Sequence, residues 1–166
     1  MLVVHGTRKF LDRVSEPVSA PVKQSSAALG SWYATLLFWK PQVALFVNEP
    51  TLLPVLMPLA PAATVVDRFP AALATVLEAH GVDRAFIEHE IANMSDDHVT
   101  TTANRSVVGI MNEFTHLGRA YRLSNGADDL VALSLWLAQT PCGPLFGTHG
   151  SPDRELAAVA SQFHGS

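Results

Sequence analysis

The 166-residue chain carries 11 Lys and Arg against 15 Asp and Glu, and 48% of its residues are hydrophobic. This length suits one domain that can bury its own core, and a formal net charge of -4 argues against a general nucleic-acid binder, which is usually basic. The single cysteine excludes an internal disulfide and a cysteine-based zinc cluster and fits a reducing compartment, so we expect a cytoplasmic protein.

The chain also lacks the usual signals for a membrane, a cofactor or a metal. Its amino terminus has no extended apolar run of the signal-peptide type. The longest apolar region, residues 43–66, contains an asparagine, a glutamate and four prolines, which a transmembrane helix does not tolerate. No glycine-rich phosphate loop and no zinc-ligand spacing occurs, so we expect no membrane contact, no cofactor and no metal.

The first elements are a strand and a short helix. Residues 2–5 are predicted to form a strand, and Thr7 is a natural cap for a helix that buries Phe10 and Val14. Residues 15–31 mix Ser, Pro, Ala and Gly without an apolar period. This stretch is therefore predicted to be a mobile loop.

Three successive strands follow. They are predicted over residues 32–39, 43–47 and 52–57, with turn residues at both joints, which favours an antiparallel meander. Pro54 cannot donate to a ladder, so we expect the third strand at a sheet edge. The second strand is apolar on both faces and is predicted to be central.

The remainder is mainly helical. Helices are predicted over residues 67–80, from Asp83, and over 104–123, 128–139 and 152–163, with one more strand at 98–102. The sequence thus predicts a single α+β domain over residues 1–166. Its sheet is expected to be small, antiparallel or mixed, and to contain the meander under about five to six helices.

Two stripes divide the long helix predicted from residue 104. Val107, Met111, Phe114, Gly118 and Tyr121 share one face at helical spacing, which predicts the buried side. The opposite stripe carries two arginines, an amide and an imidazole, which suit a carboxylate or a phosphate. Its members are Arg105, Asn112, His116 and Arg119. The alternative is an ordinary solvated helix face.

The start of this helix raises a separate question. Asn104 is the natural N-cap, because its side chain can accept from a backbone N–H two or three residues on. The alternative is an anion site, in which Arg105 and the backbone N–H groups of Ser106 and Val107 converge on one phosphate-like group.

Aromatic residues crowd the first strand of the meander. Alternation places Trp32 on one face and Trp39 on the other, so both are candidates for a pocket or an interface, with core packing as the alternative for at least one face. Cys142 follows a buried helix without a base beside it in the sequence, which predicts a structural thiol.

Three segments together resemble a family of bacterial proteins. They are residues 3–12 (VVHGTRKFLD), residues 29–34 with 45–49 (LGSWYA and LFVNE), and residues 102–112 (TANRSVVGIMN). The chain resembles the domain of unknown function DUF6933 over most of residues 1–145. This resemblance implies an uncharacterised bacterial single-domain protein and supplies no catalytic residue.

The leading functional hypothesis is a binding or interaction module for a small anionic ligand. Arg105 and Arg119 would recognise the charge, while Asn112 and His116 orient the ligand. The first alternative is a small enzyme with His116 as acid or base, Glu113 as its partner and Arg105 stabilising negative charge. The second is a homo-oligomeric subunit that associates through the sparsely charged meander.

Overall fold

A computed structural model describes residues 1–14, 18–20, 25–125 and 129–163, which form a five-stranded mixed sheet between two helical layers. The strands are β1 (Leu2–Gly6), β2 (Trp32–Leu37), β3 (Val43–Asn48), β4 (Pro54–Pro58) and β5 (Asp97–Thr101). Their order is β4-β3-β2-β1-β5. The meander from β2 to β4 is antiparallel, as predicted, whereas β1 lies parallel to both β2 and β5. The sheet is therefore mixed.

The predicted places of the meander strands are confirmed. All six residues of β3 are buried, because helices cover both faces of this central strand. The strand that contains Pro54 is an edge strand, where a missing N–H costs least. The N–H of Leu56 on that edge donates to Ser134 Oγ at 2.9 Å, so an α-helix covers part of it.

Six α-helices surround the sheet in the part of the chain that the structure describes. They are α1 (Arg8–Val14), α2 (Val65–Ala79), α3 (Arg84–Ala92), α4 (Arg105–Asn125), α5 (Leu130–Leu137) and α6 (Pro152–Ser161), with short 3-10 helices at Ala62–Thr64 and Gly143–Leu145. Residues of α1, α2, α3 and α6 pack on one face of the sheet. The opposite face is covered by α4 and α5. The two helices that begin after β1 and β5 therefore lie on opposite faces.

The connection before β2 is described in part. Residues 15–17 and 21–24 lie outside the described ranges, so the prediction of a mobile loop over 15–31 is not tested there. Between them, Ser19 N–H donates to Val99 O at 2.9 Å, and the segment lies against the outer edge of β5. The first predicted residue of the fifth helix, Asp128, is also outside the described ranges, and Asp129 is the N-cap of α5.

No helix in the described part of the chain has both the length and the apolar character needed to cross a bilayer.

Helix ends agree with local sequence signals. Gly81, with φ of +80°, follows α2 in the left-handed region that favours glycine.

Candidate functional site

The amino end of α4 is closed by its own side chains. Asn104 Oδ1 accepts from the backbone N–H of Ser106 at 3.0 Å and of Val107 at 3.4 Å. These are the donors that an anion would need at this helix terminus. Of the two alternatives for this residue, the structure shows the N-cap.

A tyrosine and a carboxylate complete this closure. The backbone N–H of Asn104 donates to Tyr33 Oη at 2.8 Å, and Asn104 Nδ2 donates to Glu49 Oε2 at 3.4 Å. His5 stacks on the Tyr33 ring at 4.7 Å between centroids. Burial, with a further contribution from the Glu49 charge, raises the pKa of Tyr33 above its usual value. A negative charge beside the cap disfavours an anion here.

The predicted polar stripe does not converge along its whole length. The core stripe is confirmed, because α4 buries Val107, Met111, Phe114 and Gly118. Arg105, Ser106, Asn112 and His116 are exposed on the other side of the helix, as is Glu113. No hydrogen bond joins Glu113 to His116 within the described residues. The carboxylate–imidazole pair of the enzyme hypothesis is thus not assembled.

Arg119, at the other end of the stripe, lines a cavity of about 600 Å³. We call this cavity the edge cleft. Its described walls come from α1, from the end of β2 and the turn after it, and from the second half of α4. They are Lys9, Leu36, Leu37, Phe38, Trp39, Lys40, Thr115, Arg119, Arg122 and Leu123.

The unequal lengths of two neighbouring strands create the edge cleft. The last residue of β1, Gly6, is paired with Ala34, whereas β2 continues to Leu37. Beyond this point α1 packs on one face of the sheet and α4 on the other. The edge cleft touches both helices and the end of β2, beyond the point where β1 has stopped.

The edge cleft is strongly cationic. Lys9, Lys40, Arg119 and Arg122 line it, and no acidic residue does so among the described positions. Lys9 Nζ lies 5.4 Å from the centroid of Phe38, and the Arg122 guanidinium lies 4.4 Å from the ring of Trp39. Such cation–π contacts restrict long side chains and hold their charges at the cavity wall.

The two predicted tryptophan candidates have different environments. Trp39 is half-buried and lines the edge cleft. A Cβ on Gly118 would lie 3.2 Å from Trp39 Cη2, so the glycine in α4 lets the indole pack closely. Trp32, by contrast, is fully buried and contacts Phe69 at 4.9 Å between centroids. It belongs to the core and offers no surface to a partner.

Most of the cationic wall has no signature in the amino-acid sequence. Lys9, Phe38, Lys40 and Arg122 lie on separate elements, and no common periodicity links them. These residues lie close together because β1 ends early. Where β1 ends relative to β2 depends on strand pairing, which a sequence pattern does not reveal. The charge pattern along the sequence therefore indicates α4, and Arg119 is the one residue of its polar stripe that lines the cleft among the described positions.

The remaining chemistry lies outside the edge cleft. Burial raises the pKa of the Cys142 thiol to about 11, so it is a poor nucleophile, as predicted for a structural thiol. Glu155 Oε2 contacts His149 Nδ1 at 3.1 Å. Burial opposes ionisation of Glu155, but hydrogen bonds from Thr148 and His149 outweigh it and lower its pKa. This pair ties the loop before α6 to the helix.

The chain matches a known family over nearly its whole length. Residues 3–155 fit the sequence profile described as Domain of unknown function (DUF6933). The chain belongs to the DUF6933 family. No curated protein and no solved structure matches it. In the described part of this DUF6933 chain, no three His, Cys, Asp or Glu side chains converge as a metal site would require.

Proposed function

We propose that this DUF6933 protein binds a small anionic ligand in the edge cleft. The observation that carries the proposal is the concentration of Lys9, Lys40 and Arg119 around one cavity in a chain of net charge -4. Clefts lined by one sign of charge attract ligands of the opposite sign. Basic side chains also donate charge-assisted hydrogen bonds to carboxylates and phosphates.

The walls favour an anion that also has an apolar part. Leu36 and Leu37 line the cleft beside the cations. At its rim, Phe38 and Leu123 are exposed by 63% and 81%. A ligand with an apolar part would cover these side chains. Because several cations line the cleft, a ligand with more than one negative charge is favoured. We therefore expect an anion with carboxylate or phosphate groups, and tighter binding when it also carries an apolar part.

Isothermal titration calorimetry at low salt tests this proposal. The panel contains pyrophosphate, citrate, adenosine monophosphate and phenylsuccinate, and the proteins are the wild type, Arg119→Ala and Lys40→Ala. We expect at least one ligand to bind and each substitution to weaken it about tenfold, corresponding to about 1.4 kcal/mol per charge-assisted contact. Binding is expected to weaken as salt is added, because exposed charges are screened.

Arg105→Ala is the matched control. It removes the same side chain from the same helix, but at the closed amino end. The affinity of Arg105→Ala for the anionic ligand should equal that of the wild type. Equal losses in Arg105→Ala and Arg119→Ala would mean that net charge alone attracts the ligand, and no binding across the panel would contradict the proposal.

A further inference from the structure

The carboxyl ends of two neighbouring parallel strands lie beside a second cavity. β1 and β5 run parallel, and their last residues, Gly6 and Thr101, are partners in the sheet. The helix after β1 packs on one face of the sheet and the helix after β5 on the other. Two parallel neighbours whose following helices lie on opposite faces leave a crevice beyond their carboxyl ends, and open α/β sheets bind ligands there.

A cavity of about 350 Å³ lies at this position. We call it the strand-end crevice. Besides Gly6 and Thr101, its described walls are Arg8, Leu11, Asp12, Val18 and Thr102. None of these residues lines the edge cleft, so the two cavities are separate sites. Arg8, Asp12 and Thr101 are exposed, so a ligand can reach them from solvent.

Contacts within the sheet hold the floor of the strand-end crevice. His5 Nδ1 lies 3.0 Å from Thr101 O, next to the last pair of residues that joins the two strands. A Cβ on Gly6 would lie 2.7 Å from Leu11 Cδ2, so the glycine lets α1 pack closely against the end of β1. The backbone that lines the crevice is therefore tied to the sheet before a ligand binds.

The strand-end crevice contains one charge of each sign. Arg8 and Asp12 are four residues apart on α1, so their Cβ atoms lie about 5–6 Å apart on one face of the helix. Within the described residues, neither side chain forms an ion pair or a hydrogen bond with the other or with a third group. Thr101 and Thr102 add hydroxyl groups from the end of β5. A cation and an anion that are not paired with each other suit a ligand that carries both charges.

We propose that the strand-end crevice binds a free α-amino acid with an aliphatic side chain. The Arg8 guanidinium binds the carboxylate, and the Asp12 carboxylate binds the ammonium group. Leu11 and Val18 contact the aliphatic side chain of the ligand. This site goes beyond the edge cleft, whose charged lining is entirely cationic among the described positions.

Other small ligands fit these walls less well. Asp12 repels a simple anion such as phosphate, and Arg8 repels a metal cation. An α-amino acid carries both of its charged groups on one carbon atom, so each group reaches one of two side chains on successive helical turns. The cavity volume lies near the lower end of the range for small-molecule sites, about 300–1,000 Å³, which also favours a small ligand.

Isothermal titration calorimetry with L-leucine and two derivatives tests this inference. N-acetyl-L-leucine lacks the ammonium group, and L-leucinamide lacks the carboxylate. We expect L-leucine to bind the wild-type protein. Each derivative should bind at least about tenfold more weakly, because each loses one charge-assisted contact.

Two substitutions assign each charge of the ligand to one residue. Arg8→Ala and Asp12→Asn should each weaken L-leucine binding about tenfold. Arg8→Ala should bind L-leucinamide no more weakly than the wild type does, because this derivative has no carboxylate to lose, and the same holds for Asp12→Asn and N-acetyl-L-leucine. Both residues are exposed, so the urea midpoints of the two variants should stay near that of the wild type.

Arg13→Ala is the matched control. Arg13 lies on the same helix, but its guanidinium donates to Gln42 Oε1 at 3.2 Å and does not line the crevice. Arg13→Ala should bind L-leucine as the wild type does. Amide chemical shifts locate the site on the unaltered protein: L-leucine should move the resonances of Thr101 and Thr102 and leave that of Trp39, in the edge cleft, unchanged.

Failure of this inference is distinct from failure of the proposed function. Equal affinities for L-leucine and both derivatives, or absence of binding for all three, would overturn the amino-acid site. Retention of L-leucine binding in Arg8→Ala with loss in Arg119→Ala would also overturn it, because the amino acid would then occupy the edge cleft. The proposed function is judged separately, with anions in place of amino acids.

Discussion

The two ends of α4 offer opposite surfaces to a ligand. At the amino end, Asn104 binds the terminal N–H groups, Tyr33 binds Asn104, and Glu49 adds a negative charge. At the carboxyl end, Arg119 and Arg122 join cations from two other elements around an open cavity. The polar residues at the amino end stabilise the fold, whereas Arg119 at the carboxyl end lines a cavity.

The two ends of α4 differ because β1 is shorter than β2. The amino end of α4 lies directly over β2 at Tyr33, within the paired part of the sheet. The carboxyl half passes the point where β1 has stopped. The polar face of α4 therefore has its helix-terminal N–H groups occupied at the end that lies over the paired strands. At the other end the same face borders a cavity.

Tyr33→Phe should have the largest effect on the closed end. The change leaves the Asn104 N–H without its acceptor in a partly buried place, and we expect the free energy of unfolding to fall by about 1–3 kcal/mol. Urea denaturation measures it. The matched control is Tyr121→Phe, at the other tyrosine of the chain. Equal losses for the two variants would contradict a special role for the Tyr33 hydroxyl.

Asn104→Ala should cost about 1 kcal/mol of unfolding free energy, because the helix loses its cap. Asn104→Asp keeps a capping oxygen but places it near Glu49, so it should recover part of the loss, and more of it at high salt. Thermal unfolding of both variants, with the exposed Asn112→Ala as control, measures these effects. Full stability of Asn104→Ala would show that the cap is dispensable.

Alkaline pH should weaken the closed end. The pKa of Tyr33 is raised in the folded state, so its contribution to stability is fully present below the unfolded value of about 10 and is lost as the pH rises through the folded value. Urea midpoints between pH 8 and pH 11.5 should fall for the wild type and fall less for Tyr33→Phe. Parallel curves would contradict this assignment.

Arg119→Ala should have the smallest effect on stability. The side chain is exposed, and substitutions at such sites usually change the free energy of unfolding by less than about 0.5 kcal/mol. Urea denaturation of Arg119→Ala and Arg105→Ala should therefore give similar midpoints, in contrast to their affinities for anions. A large loss of stability in Arg119→Ala would mean that this arginine supports the fold.

Local signals predicted most elements of this fold. The edge position of Pro54, the buried stripe of α4 and the cap at Asn104 follow from proline chemistry, helical period and helix termini. The parallel pairing of β1 with β2 and β5 was not specified, because the period of a strand does not reveal its neighbours. Strand pairing also creates the edge cleft, so the site could not be assembled from Arg119 alone.

The Ser134 hydroxyl has a consequence for self-assembly. It donates to Leu130 O at 2.7 Å while accepting from Leu56 N, so both of its roles are satisfied between α5 and the outer strand β4. A second molecule that extended the sheet at this point would have to displace the helix first. The Ser134 oxygen thereby occupies the outward N–H of Leu56, one of the groups through which β4 could pair with a strand of a second molecule.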